Sequence, residues 1–250
     1  MLELNKIYNE DCLEGMKRID DKSVDCIICD LPYECTKNSW DVMINPEDLW
    51  KQYERIIKDN GAIILFGQGL FTAKMMMSNQ KLWRYNLIWR KTEPSGFLNA
   101  KRMPLRSHED IMVFYKKLPT YNPQKTTGHK RKVSSAESKI NSKVTTNYGK
   151  HDLTSYDSTE RYPTSVLTFK RDRQKCALHP TQKPVALIEY LIRTYSNEGD
   201  LILDNCMGSG TTAVACLNTN RRFIGFEIDK EFFELATNRI IDLNNELKLF

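Results

Sequence analysis

One stretch near the carboxyl end restricts the chain more than any other. Leu201-Ile202-Leu203-Asp204 is a short apolar run of the kind that forms a buried strand, and Asn205-Cys206-Met207-Gly208-Ser209-Gly210-Thr211-Thr212 leads from it into a helical pattern. Glycines at such a junction allow a tight turn and let a ligand approach backbone N–H groups at the helix start. A second strand-like run, Phe223-Ile224-Gly225-Phe226-Glu227-Ile228-Asp229, places Glu227 near its end. An acid at the tip of the second strand is where a ribose diol is commonly held. Strand, glycine turn, helix, strand and acid together describe a nucleoside-cofactor site. The turn has no lysine, as a Walker loop would require, and the full dinucleotide fingerprint is absent.

The same alternation runs along most of the chain. Strands are predicted at 6–10, 24–30, 62–66, 86–90, 111–116, 201–204 and 223–229, and helices at 12–18, 46–58, 70–79, 184–195, 211–218 and 230–244. Pro46 and Pro184 stand where a first helical turn tolerates proline. Strands interleaved with helices predict an α/β fold with a mostly parallel, doubly wound sheet. No run of about 18 apolar residues and no signal-peptide pattern is present, which points to a soluble, cytoplasmic protein without a membrane partner. The seven cysteines are odd in number and scattered, as reduced thiols are. Cys26 and Cys29 lie three apart in a predicted strand and point to opposite faces, so no metal site is expected there.

A second constellation, Asp30-Leu31-Pro32-Tyr33, ends the strand 24–30. Ligands of doubly wound sheets bind at that edge. An aromatic amino group is a poor nucleophile because its lone pair is delocalised into the ring. Two acceptors can grip its hydrogens and favour pyramidalisation: the Asp30 carboxylate and the Leu31 carbonyl. Pro32 stiffens the turn and biases Leu31 away from helical geometry. Tyr33 offers a ring on which an extruded base can stack.

Charge is distributed unevenly. Between Lys116 and Lys175 fourteen Lys and Arg face five Asp and Glu, a local +9, whereas the whole chain carries +5. The segment 118–165 is rich in Ser, Thr, Asn, Lys and Tyr, and is expected to form an extended or partly disordered insertion. A basic insert on a near-neutral body is the footprint of polyanion binding. The expected division is therefore 1–117 (catalytic half), 118–175 (basic target-recognition insert) and 176–250 (cofactor-binding half).

Asp-Leu-Pro-Tyr first, a basic insert next and the glycine turn last resembles the permuted, β-class amino-methyltransferases of DNA, the adenine-N6 and cytosine-N4 family. The likeness includes 9–16 and His179-Pro180-Thr181-Gln182-Lys183-Pro184. It implies a Rossmann-like, seven-stranded, doubly wound sheet of the class I methyltransferase type with one antiparallel strand, expected at 111–116. It implies S-adenosylmethionine as cofactor, with Asp11 holding its adenine, Glu227 its ribose, the turn Asn205–Gly210 and the segment Thr181–Lys183 around its methionine end, and Cys12 also in the cofactor site. Asp30, Thr181, Lys183, Asp204, Asn205, Gly208, Ser209, Gly210 and Thr211 would line the rest of the cofactor site. Asp30, Leu31, Pro32 and Tyr33 would form the target-base site. Lys130, Arg131, Lys132, Arg171 and Arg173 would bind double-stranded DNA. A homodimer and a companion restriction enzyme are compatible with the family.

Two departures stand out. Leu31 replaces the family's usual proline, which preserves a role resting on a backbone carbonyl, and Asn205-Cys206 replaces Pro-Phe. Direct attack needs no nucleophilic cysteine, so Cys206 is read as packing. Trp40 could abut the flipped base or anchor its loop, and His179 shapes the entry to the next helix. The implied reaction is methyl transfer to adenine N6. Cytosine N4 is the neighbouring alternative, disfavoured by Asp30 where cytosine enzymes commonly have Ser. A catalytically silent nucleic-acid-binding module is the alternative from another class.

Overall fold

Along Val24–Cys29 successive side chains feed two different cores: Cys26 and Ile28 pack on one side, Ile27 and Cys29 on the other. A strand apolar at nearly every position is thus buried on both faces, as a parallel central strand must be. The computed structural model describes residues 2–33, 42–135, 155–172 and 182–247. Its strands are β1 (Lys6–Tyr8), β2 (Val24–Cys29), β3 (Ile57–Gly67), β4 (Trp83–Ser95), β5 (Arg106–Phe114), β6 (Lys132–Ser134), β7 (Tyr156–Ser158), β8 (Val166–Phe169), β9 (Leu201–Asp204) and β10 (Arg222–Phe226). Its α-helices are α1 (Cys12–Met16), α2 (Pro46–Ile56), α3 (Leu70–Ser78), α4 (Val185–Tyr195), α5 (Thr211–Asn218) and α6 (Lys230–Leu247).

Eight strands form one sheet in the order β1-β10-β9-β2-β3-β5-β4-β8. Only β5 runs against its neighbours: it pairs antiparallel with both β3 and β4, and every other pairing is parallel. One face packs Leu187, Leu191, Ala213 and Ala236 of α4, α5 and α6. The other packs Met16, Trp50, Tyr53 and Met75 of α1, α2 and α3. Helix α2 starts as its sequence dictates, with Pro46 in the first turn and the Asn45 side chain accepting the Glu47 N–H at 2.9 Å. Strands β2 and β9 are neighbours from opposite ends of the chain, and the connections leave them in opposite directions. That is the switch point where doubly wound sheets open a crevice. Among the described residues no helix is long and apolar enough to cross a membrane.

The doubly wound class and the single reversed strand agree with the sequence reading. The eighth strand does not come from it. β8 lies inside the segment expected to be inserted, yet it pairs with β4 from Ile88↔Val166 to Lys91↔Phe169. The Trp89 indole fixes it by donating to the Phe169 carbonyl at 3.1 Å. The insert 118–175 therefore does not stand apart as one piece.

The compact unit outside the sheet is Pro123–Thr164. Its described residues form an antiparallel hairpin, β6 with β7, and a bridge between Thr126 and Arg161. Polar side chains hold the described residues of this unit together. Arg131 grips both Asp157 oxygens at 2.7 and 2.6 Å, and Arg161 donates to the carbonyls of Ser158 and Glu160.

Candidate active site

The carboxyl ends of β2 and β9 open into a cleft of about 980 Å³. That is the upper end of the roughly 300–1,000 Å³ range of ligand sites. Of the described residues assigned to the cofactor or the target base, all but Gly210 line it: Asp11, Cys12, Asp30, Leu31, Pro32, Tyr33, Lys183, Asp204, Asn205, Gly208, Ser209, Thr211 and Glu227. Thr181, Arg173, Trp40 and His179 lie outside the described residues.

The cofactor side is built by the turn after β9. Asp204 is buried; its carboxylate accepts the Cys206 N–H at 3.1 Å and the Thr212 hydroxyl at 2.6 Å, tying the turn to the first turn of α5. Burial pushes its pKa up to about 6 against those two hydrogen bonds. Gly208 has φ +53° and Gly210 φ +79°, and a Cβ on Gly210 would come within 3.0 Å of Ala236. Both positions therefore require glycine. The Gly208 N–H donates to Glu227 at 2.7 Å, while the other Glu227 oxygen accepts the Asp229 N–H at 2.9 Å. Burial raises the pKa of Glu227 against these backbone donors. Each carboxylate oxygen has a second acceptor site, so Glu227 can still receive two hydroxyls of a diol. Ile228 and Phe232 add apolar walls beside it. A carboxylate for a diol, apolar walls for a planar ring and several acids for a cationic centre fit an S-adenosylmethionine-sized nucleoside.

Two residues assigned to the cofactor also make structural contacts, Asp11 through one carboxylate oxygen only. Asp11 caps α1, accepting the Leu13 and Glu14 N–H groups at 2.8 and 3.2 Å. Asn205 accepts the Tyr53 hydroxyl at 2.5 Å and points its amide at the sulfurs of Cys12 and Cys206. The Cys206 thiol pKa is pushed well up by the neighbouring Cys12 and Cys29 thiols and by burial, in keeping with a packing role.

The Asp30 side is a chain of paired charges in which Lys91 and Lys183 are buried and Asp30 and Glu109 partly so. The Tyr33 hydroxyl donates to one Asp30 oxygen at 2.5 Å, and the Lys183 ammonium donates to the other. Lys183 also faces Glu109 at 3.3 Å, and Glu109 pairs with Lys91 at 2.5 Å. Burial works to lower the pKa of Lys183, but Asp30 and Glu109 outweigh it and hold it above the ordinary lysine value. Burial opposes the Glu109 charge too, yet Lys183 and Lys91 keep its pKa below the usual carboxylate range. Two cations and two anions make a neutral row. Sequence reasoning placed Lys183 with the cofactor and missed Lys91. A signal was present: acids and bases stand at the ends of β4 and β5 that share the carboxyl edge of the sheet.

Of the residues assigned to DNA, Arg171 lines the cleft. Lys130, Arg131 and Lys132 sit in the hairpin unit, where Arg131 is paired with Asp157.

A cleft lined by the glycine turn, Glu227 and the Asp-Leu-Pro-Tyr segment, at the switch point of a sheet with one reversed strand, goes with a class I methyltransferase fold. The model of the N6_N4_Mtase family, a DNA methylase, matches residues 24–238, and the chain belongs to this family of N6/N4 DNA amino-methyltransferases. It is 29% identical to the type II methyltransferase M1.MboII of Moraxella bovis over 94% of this chain and 96% of that protein. The crystal structure of the M1.HpyAVI–SAM complex superposes with a TM-score of 0.63 at 26% identity, covering 94% of this chain and 98% of that one. The PvuII DNA methyltransferase (cytosine-N4-specific) superposes with a TM-score of 0.65 at 14% identity, covering 96% and 91%, a likeness of fold alone.

Proposed function

We propose that this DNA methyltransferase uses S-adenosylmethionine to methylate the exocyclic N6 of adenine in double-stranded DNA, the target base being extruded from the duplex. The observation that carries this reading is the Asp30 carboxylate at the carboxyl end of β2, in the same cleft as Glu227 and the Gly208 turn. Bound against Glu227 and that turn, the cofactor supplies an electrophilic methyl group on a sulfonium sulfur. Asp30 accepts one amino hydrogen through a remaining lone pair and the Leu31 carbonyl accepts the other. The amino lone pair is thereby freed for in-line attack, and the surplus proton leaves toward Asp30. Lys183 sets its positive charge directly against the Asp30 carboxylate and so fixes its orientation in the cleft. Tyr33, with its hydroxyl tied to Asp30, presents its ring to the cleft. The hairpin unit and Arg171 contribute cations toward the DNA backbone.

The test is nucleoside mass spectrometry of DNA methylated in a methylation-deficient bacterium that expresses the chain. N6-methyladenine is expected, and N4-methylcytosine instead would reassign the base. Asp30→Ala is expected to abolish the modification while cofactor affinity stays nearly unchanged.

A further inference from the structure

The turn between β4 and β5 exposes apolar side chains beside the cleft. Phe97 is 77% exposed, Leu98 85%, Met103 55% and Leu105 40%. Monomeric proteins rarely leave such a cluster bare without a use for it. The turn is not slack. Gly96 adopts φ +90°, and 96–103 winds through successive hydrogen bonds from Asn99 N to Gly96 O (3.0 Å), Ala100 N to Phe97 O (3.0 Å), Arg102 N to Asn99 O (2.8 Å) and Met103 N to Asn99 O (3.0 Å). It springs from the rim itself: Ser95 and Arg106 pair across β4 and β5, both line the cleft, and Arg106 is braced on Gln68 at 2.7 Å. All three charged residues of 96–106 are cations, Lys101, Arg102 and Arg106, and all are exposed.

We infer that this turn is the wedge that opens the duplex, with Phe97 and Leu98 entering the base stack beside the target nucleotide and Lys101 and Arg102 resting on the flanking phosphates. The inference rests on the reading of the protein as a DNA amino-methyltransferase. A rigid apolar tip can replace the stacking that an extruded base gives up, and cations around it can hold the backbone that must swing. A hydrophobic partner protein would have no use for three exposed cations at the same tip; a polyanion with apolar base faces does.

The test uses two short duplexes carrying the methylation site found in the expressing bacterium. One is fully paired, and in the other the partner of the target base is an abasic site. Phe97→Ala with Leu98→Ala is expected to slow methylation of the paired duplex about tenfold or more, and of the abasic duplex by less than about twofold, because unpairing is then already done. With 2-aminopurine at the target position, fluorescence should rise on binding the intact enzyme and stay low with the variant. Equal slowing on both duplexes, or none on the paired one, overturns the wedge. Equal slowing together with loss of a dimer in sedimentation assigns the turn to a second copy of the chain instead. An intact enzyme that methylates neither duplex overturns the amino-methyltransfer reading itself, and the wedge with it.

Discussion

The Lys183 ammonium binds the Asp30 carboxylate directly, across 153 residues of sequence, and shares its charge with Glu109. We propose that Lys183 positions the methyl acceptor rather than the cofactor, and the two roles predict different kinetics. Lys183→Met is expected to lower kcat about a hundredfold with cofactor affinity nearly unchanged, and Lys183→Arg to restore part of the loss. Single-turnover kinetics with calorimetry separate the outcomes. A loss of cofactor affinity at normal kcat would return Lys183 to the methionine end of the cofactor.

Glu227 is held by one backbone N–H on each oxygen. Glu227→Gln must turn an amide NH₂ toward the Gly208 or the Asp229 donor, so the turn loses a hydrogen bond and the diol an acceptor. Cofactor binding should weaken by about 1–3 kcal/mol, the scale of charge-assisted hydrogen bonds. Calorimetry that finds unaltered affinity removes Glu227 from the site.

Much of this architecture is legible in the sequence, and the gaps have physical causes. Strand β9 and helix α5 occupy the expected bounds, because a continuous apolar run and a glycine turn leave no alternative. Val166–Phe169 was not legible as a strand. Four residues after a polar stretch carry little periodicity, and what holds them is the edge of β4 and the Trp89 indole. The Lys91–Glu109 pair lies on neighbouring strands, but its continuation through Lys183 to Asp30 was not legible because those ionic contacts join residues far apart in the chain. Local spacing says nothing about contacts that only the sheet order creates.

Leu31 shows how a sound local argument can omit a packing cost. The sequence reading takes Leu31 and the family's usual proline as equivalent because the acceptor is a backbone carbonyl. The side chain, however, is 4% exposed and belongs to the core beneath α1, α2 and α3. Leu31→Pro should preserve turnover and lower stability by about 1–3 kcal/mol for the lost packing. Denaturant midpoints and kcat on the same samples check both halves. A folded, cofactor-binding variant without turnover would contradict the carbonyl's role.

Asp204 predicts a pH dependence of stability. Its folded pKa of about 6 lies above the ordinary aspartate value because the carboxyl is buried. The folded state therefore binds the proton more tightly than the unfolded chain. The stability this contributes is fully present below pH about 3.9 and is lost as pH rises through about 6, up to about 3 kcal/mol in all. Asp204→Asn, which keeps an acceptor for Cys206 or Thr212, should remove that slope. Urea unfolding of both proteins at intervals between pH 4 and pH 7 measures it, and parallel curves would mean that Asp204 titrates normally in the fold.

The hairpin cations should not act alike on DNA. Each phosphate contact adds about −0.9 to the slope of log affinity against log salt on duplex DNA. Lys130 and Lys132 are exposed, whereas Arg131 already has both Asp157 oxygens on its guanidinium. Replacing Lys130 and Lys132 with alanine is expected to flatten the slope by up to about two units. Adding Arg131→Ala should contribute well under one further unit, since that cation must leave a partner before it meets phosphate. Asp157→Ala should therefore steepen the slope in the otherwise intact protein, by freeing Arg131. Binding across a salt series for these variants provides the measurement. Parallel lines with equal affinity would place the phosphate contacts elsewhere, with Arg171 and the 96–106 turn the next cations to replace.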